Sequence, residues 1–468
     1  MNSLYKKLKD YCYKDVTPLH MPGGKRNSRF TDFPNPYSLD ITEIEGFDNL
    51  HHATGILSDE MKRASYLYGS DESLICVNGS TSALTAAICG AFEKGDKVLV
   101  ARNCHISVIN AIIIRELIPL FLYPEKDGSG IYKKVDPDDV RKALKDDPDI
   151  KGFIMTSPTY EGVVSDTGKI AGIIHEYNKI LIVDEAHGAH FVFHEIFPES
   201  AVRSGADAVV NSLHKTLPAL TQTALLHLNG SVIDRERIIA FWNIYQTTSP
   251  SYVLMGSISY CFDYLDSENG RKALNRYVSN ILELRKSVST LNNIELFASD
   301  DLGKIVLLAN DSKSLYDMMI KRFDIQLEMA AEKYTVAMTS VSDESISYYK
   351  FLSALQAADE YFKKPDLDGE TYSFLGQKQS MLPCRAFELH MSVGKYVSLD
   401  RSIGAICLDN VIIYPPGTPL IVAGEIIDKT DIIKIKKALG FGFEVIGIKN
   451  IEKEYKISVY TDQTKNPV

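Results

Sequence analysis

The sequence predicts an α/β fold: a mostly parallel sheet flanked by helices in a large domain, followed by a smaller C-terminal α+β domain. Three observations lead there. Between about Ser73 and Leu228, short β-rich runs alternate with amphipathic or small-residue stretches, the pattern of a parallel sheet covered on both faces. The chain has 468 residues, more than the roughly 250–300 at which a single core stops growing. Beyond Tyr260 the alternation gives way to a long helical pattern and a turn-rich tail.

The runs are SLICV, DKVLVA, KGFIMTS, KILIVDE, ADAVVNS and TALLHLN. In sheets of this kind ligands bind beyond the carboxyl ends of the strands, and there the polar clusters fall. They are Asn78-Gly79-Ser80-Thr81-Ser82, Asn103-Cys104-His105, Ser157-Pro158-Thr159-Tyr160, Asp184-Glu185-Ala186-His187 and Ser212-Leu213-His214-Lys215. Five strand ends are thus expected to converge on one site. A helix is expected around Asn275 to Leu291, with Ile281, Leu282 and Leu284 buried, and another at about Ser342 to Lys363. A turn-rich linker over 364–369 and strands around Val411 to Val422 complete the pattern. The division follows as an N-terminal arm over 1–45, a large domain over 46–270, and a connecting helix with a C-terminal domain over 271–468.

Composition narrows the function classes. The formal charge is −10 and the pI about 5.6, with basic residues scattered among acids. Neither nucleic acid nor an anionic membrane is an expected partner. The most apolar stretch, Asn110 to Tyr123, is broken by Arg115 and Glu116 and is shorter than the roughly 20 residues a span requires. The first fifteen residues mix charges and hold no apolar signal core. Seven cysteines without a CxxC pair suggest no disulfide framework and no zinc site, which suits a reducing cytoplasm.

The strand ends supply candidate chemistry. Lys215 follows an apolar strand, where partial desolvation would favour the nucleophilic free amine a Schiff-base lysine needs; an ordinary surface lysine fits the spacing equally well. Asp184 ends a neighbouring strand and can hold a pyridine nitrogen protonated or cap a helix. Ser80, Thr81 and Ser82 open a helical run whose N-terminus suits a phosphate, although hydroxyl residues also cap helices that bind nothing. His105 can stack on a flat ring or be a satisfied polar residue. Two other patterns are weighed and set aside. Asp184-Glu185-Ala186-His187 spells a helicase box, but no GxxxxGK[ST] accompanies it. His187, His190 and His194 lack the HExxH or Cys/His spacing of a metal site, so no metal is expected.

Taken together these segments resemble the Orn/Lys/Arg decarboxylases, pyridoxal-5′-phosphate (PLP) enzymes of fold type I. The resemblance rests on Thr17-Pro18-Leu19-His20-Met21-Pro22-Gly23, Val77-Asn78-Gly79-Ser80-Thr81, Arg102-Asn103-Cys104-His105, Ser157 to Gly162, and Asp184-Glu185-Ala186-His187-Gly188. It continues through Ser212-Leu213-His214-Lys215 with Gln222, Thr247 to Tyr252, and Tyr414-Pro415-Pro416-Gly417. It implies that Lys215 carries PLP, that Ser80, Thr81, Ser82, Ser212 and His214 meet its phosphate, and that His105 stacks on its ring. Asp184 would pair with the ring nitrogen, Ala186 and His187 would lie beside it, and Lys215, His214 and His105 would take the catalytic roles. Thr247 and Thr248 would reach a neighbouring subunit's cofactor, which implies a homodimer. The implied reaction is decarboxylation of a basic amino acid, with the short, wingless form resembling biosynthetic arginine decarboxylases; lysine and ornithine decarboxylases share the same motifs. Other PLP chemistry on this fold, or a homologue that binds PLP without turnover, stays open. Gly24 stands where the family has a histidine, Ala405 where it commonly has a basic residue, and Asp409 where it commonly has glutamate.

Overall fold

The structure is a computed structural model that describes residues 3–27, 33–365, 394–414 and 417–460. After a short strand β1 (Thr17–Leu19) come seven strands of one sheet: β2 (Glu72–Cys76), β3 (Lys97–Ala101), β4 (Ile118–Leu122), β5 (Ile150–Thr156), β6 (Ile180–Asp184), β7 (Ala208–Ser212) and β8 (Ala224–Leu228). Their order is β2-β8-β7-β6-β5-β3-β4, and all neighbours run parallel except around β8, which is antiparallel to both β2 and β7. Every residue of β7 and β8 is buried, as expected of strands covered on both faces.

The six expected runs are strands, and the structure adds β4. Its sequence sits inside the apolar stretch broken by Arg115 and Glu116. The break is a change of element: the helix Ile106–Arg115 ends with Glu116 in the left-handed region at φ 56°, and the chain returns as β4. Close helix packing comes from small residues. A Cβ on Gly90 would lie 2.5 Å from the Cα of Ile238, so the helix Gly79–Ala91 and the helix Arg235–Tyr245 touch backbone to backbone.

The connecting helix runs from Glu268 to Val288, starting earlier than its apolar pattern indicated because Ser267 caps it, its side chain accepting from Gly270 N–H. Ile281 and Leu284 are buried, but Leu282 is 44% exposed. It follows Ile281 by one residue, about 100° round the helix, and so leaves the buried stripe. A four-stranded antiparallel sheet follows, made of β9 (Glu295–Leu296), β10 (Lys304–Leu308), β12 (Met329–Ala330) and β13 (Tyr334–Met338), while β11 (Ile325–Leu327) pairs with β1. The second expected helix spans Ser345–Asp359; positions 366–369 of the expected linker lie outside the described residues.

The C-terminal part has its own apolar cluster, including Val411, Ile421, Ile432, Ile435 and Ile457. It docks on the carboxyl edge of the large sheet through Arg102. That buried guanidinium donates to the carbonyls of Pro419 (2.7 Å) and Leu420 (3.2 Å) and pairs with buried Glu425 at 3.2 Å.

Candidate active site

A cavity of about 850 Å³ lies between the carboxyl ends of the large sheet, the antiparallel sheet and the C-terminal unit. This is the size and position expected of a small-molecule site in such a fold. Lys215, Asp184, His105, Ala186 and His187 line it. Three strand ends deliver them: His105 follows β3, Asp184 is the last residue of β6 with Ala186 and His187 just beyond it, and Lys215 sits on the single helical turn Leu213–Thr216 after β7.

Asp184 caps no helix. Its Oδ1 accepts from the N–H of Ala186 at 3.1 Å, which turns the chain and leaves the carboxylate on the cavity wall. His105 does cap one: its Nδ1 accepts from Ser107 N–H at 3.2 Å, so the proton of the neutral ring sits on Nε2. Burial lowers its pKa, opposed by Asp184. Burial also lowers that of Lys215, against the pull of Asp184 and Glu328, and so favours the free amine.

Ser80, Thr81 and Ser82 occupy the first turn of the helix Gly79–Ala91, entered through Gly79 at φ 80°, a conformation glycine adopts without strain. Ser212 Oγ donates to Ser80 Oγ at 2.7 Å, tying this N-terminus to the turn that carries Lys215. His214 Nδ1 donates to the carbonyl of Thr223 at 3.0 Å, and burial lowers its pKa. These five residues stand beside the cavity rather than on its wall. Thr247 and Thr248 are exposed and belong to neither group.

Tyr160, Glu161, Lys304 and Glu328, to which the sequence gave no role, complete the site around His187. His187 is buried with a lysine at each ring nitrogen: Lys215 Nζ at 3.2 Å from Nε2 and Lys304 Nζ at 2.8 Å from Nδ1. Burial, then the two lysines, keep His187 neutral, and burial brings Lys304 down to about 8. The rings of Tyr160 and His187 meet in a T-shaped contact, centroids 4.8 Å apart, and Tyr160 donates its hydroxyl to Glu328, which also accepts from Met21 N–H at 2.7 Å. Glu161, on the cavity wall, accepts from Tyr334 Oη at 2.6 Å. Lys304 and Glu328 lie in runs without a motif; the one sequence signal is a lysine heading an apolar strand.

The residues present fit PLP. A helix N-terminus with three hydroxyl residues suits a phosphate, a carboxylate on the wall suits a ring nitrogen, and a desolvated lysine suits an aldehyde. Asn103 Oδ1 and Thr156 Oγ1, both on the wall, are buried without a hydrogen-bond partner among the described residues, as polar atoms awaiting a ligand are.

Residues 2–312 match the family model for the Orn/Lys/Arg decarboxylase major domain, and residues 366–460 match that for the family's C-terminal domain. The chain belongs to the Orn/Lys/Arg decarboxylase family. It is a PLP-dependent amino acid decarboxylase. Among the relatives of this decarboxylase is the uncharacterized protein YaaO of Bacillus subtilis, 34% identical over 99% of both chains. An arginine decarboxylase of the same organism is 27% identical over 95% of both. The fold is shared with the lysine decarboxylase LdcF of Francisella novicida, with a TM-score of 0.78 at 19% identity over 93% of this chain and 76% of that one. Among the described residues of the decarboxylase no helix is long and apolar enough to cross a membrane.

Proposed function

We propose that the chain converts L-arginine to agmatine and CO₂. The observation that carries a basic substrate is Glu161. Of the carboxylates on the wall, Glu332 pairs with Lys437, and Asp428 and Asp431 form the capping box of the helix Lys429–Gly440. Asp184 stands with Lys215 and His105. Glu161 is buried and bonds neutral Tyr334, with no cation paired to it among the described residues. A buried carboxylate without a cation favours a ligand that brings one, and a guanidinium matches it in geometry as well as charge. The end-to-end similarity to an arginine decarboxylase supports arginine over lysine and ornithine.

In this reading Lys215 anchors the cofactor, Ser80, Thr81, Ser82, Ser212 and His214 hold its phosphate, His105 and Ala186 lie against its ring, and Asp184 meets its nitrogen. PLP, when bound, supplies the electron sink that accepts the pair left as the Cα–CO₂⁻ bond breaks. The protein orients: Glu161 fixes the distal cation, which turns the carboxylate of the substrate to a set place and selects the bond that breaks. Lys215, once its amine is free of the cofactor and has taken up a proton to become an ammonium, would be the acid that delivers a proton to Cα, with His214 as the other candidate. Tyr160 and Tyr334 line the cavity and limit water beside the reacting atoms.

The reading includes a homodimer and a cytoplasmic setting. Thr247 and Thr248 stand exposed beside Ile244, which is 69% exposed, as groups serving a second copy's site would. Incubation of the PLP-loaded protein with arginine, lysine and ornithine, with CO₂ and amine product quantified, tests the proposal. Arginine is expected to react fastest. Preference for lysine or ornithine would overturn the substrate, and no CO₂ from any of them would overturn the reaction.

A further inference from the structure

The trio Lys215–His187–Lys304 sets a proton count. A neutral imidazole has one N–H donor and one bare nitrogen. With a lysine on each nitrogen, the lysine facing the ring N–H must be a free amine, the form that can accept, while the other donates to the bare nitrogen, as an ammonium when the trio carries one charge. Lys304 is 1% exposed and heads β10, and its Nζ bonds His187 rather than a carboxylate. A buried ammonium without a carboxylate is costly, so Lys304 is poised to give up its proton, consistent with burial bringing it to about 8. The other charged and titratable groups around the trio are Asp184, Glu328, Asp301, Lys25, His105 and His214, which act on it through space.

We propose that Lys304 is the proton partner of Lys215: through the imidazole of His187 it takes up the proton Lys215 sheds to become a free amine, and returns it when Lys215 acts as an acid. The transfer balances without any other reactant. A proton leaves Lys215 Nζ for His187 Nε2 while the proton on His187 Nδ1 passes to Lys304 Nζ. One N–H bond breaks and one forms at each step, the ring stays neutral and only its tautomer changes. Lys304 is thus a positioning residue that acts on Lys215 through His187. The inference rests on Lys215 as the anchoring amine.

The test uses the cofactor-free chain labelled with ¹⁵N-histidine, His187 being assigned by the signal lost in His187→Asn. In the wild type both ring nitrogens are expected at shifts between those of a bonded N–H and a bare nitrogen, because the tautomers exchange. Lys304→Arg, whose guanidinium always donates, should fix the Nε2–H tautomer, and Lys304→Met the Nδ1–H tautomer. A wild-type spectrum of one fixed tautomer, from neutral pH to well above the titration of Lys304, would overturn the proposal and needs no variant. As a second readout, acylation of Lys215 at neutral pH, mapped by mass spectrometry, should slow about tenfold in Lys304→Met, the effect of one pKa unit. An unchanged rate would also overturn it. If Lys215 does not anchor the cofactor, Lys215→Ala will still capture PLP while the histidine spectrum stands, so the two failures are distinguishable.

Discussion

Gly417 lies against the ring of His105: a Cβ on Gly417 would come within 3.3 Å of His105 Cδ2 and Nε2, and the backbone there has φ 92°. The C-terminal unit therefore closes over His105, the residue proposed to lie against the cofactor ring. Ile106 N–H donates to the carbonyl of Gly417 at 3.3 Å, fixing the same contact from the helix side. Gly417→Ala should cost about 1–2 kcal/mol through the left-handed backbone alone and push His105 from its place. Titration of the variant with PLP should show weaker binding, and affinity equal to the wild type would refute the contact's role.

Arg102 and Glu425 join the two parts of the molecule, both almost wholly buried. Arg102→Met leaves Glu425 as an uncompensated buried charge, a loss on the order of 3–5 kcal/mol. Arg102→Lys should recover only part of it, because an ammonium cannot reach two carbonyls and a carboxylate with the planar fork of a guanidinium. Denaturant unfolding of the three proteins measures this.

Lys215→Ala should abolish both the visible absorbance of the PLP-loaded protein and CO₂ release from arginine. Turnover retained by this variant would remove Lys215 from the chemistry.

Glu161→Gln keeps the hydrogen bond from Tyr334 and removes the charge. If Glu161 holds the distal cation, KM for arginine should rise about 10–100-fold, the worth of one charge-assisted hydrogen bond, with a smaller change in kcat. Equal losses in KM and kcat would point to a general disturbance of the wall instead.

Lys304 links stability to pH. Its pKa falls from 10.5 to about 8 in the folded chain, so between those values the unfolded state binds more protons and stability rises with pH. Below pH 8 the folded chain bears the full penalty, on the order of 2–4 kcal/mol. Lys304→Met should therefore raise the Tm of the cofactor-free chain at neutral pH, with the gain fading as pH approaches the unfolded value. A variant less stable than the wild type at neutral pH would contradict the burial penalty.

The sequence by itself determined the family, the six expected strands and the strand-end groups, because in a parallel α/β sheet each strand delivers its last residues to one edge. Lys215, Asp184, His105 and His187 were legible there for that reason. Only the tertiary structure showed Asp184 to be a wall carboxylate rather than a helix cap, since the choice depends on whether a helix follows it. Lys304, Glu328 and Glu161 acquire meaning when the antiparallel sheet folds back over the cavity. Neither the motif that contains Glu161 nor the lysine heading an apolar strand says what these groups touch, because burial and partners are long-range properties: His187 meets Lys304 across 117 positions of sequence. Leu282 shows the same limit on a small scale, being apolar in composition yet turned to solvent by a rotation that only packing fixes.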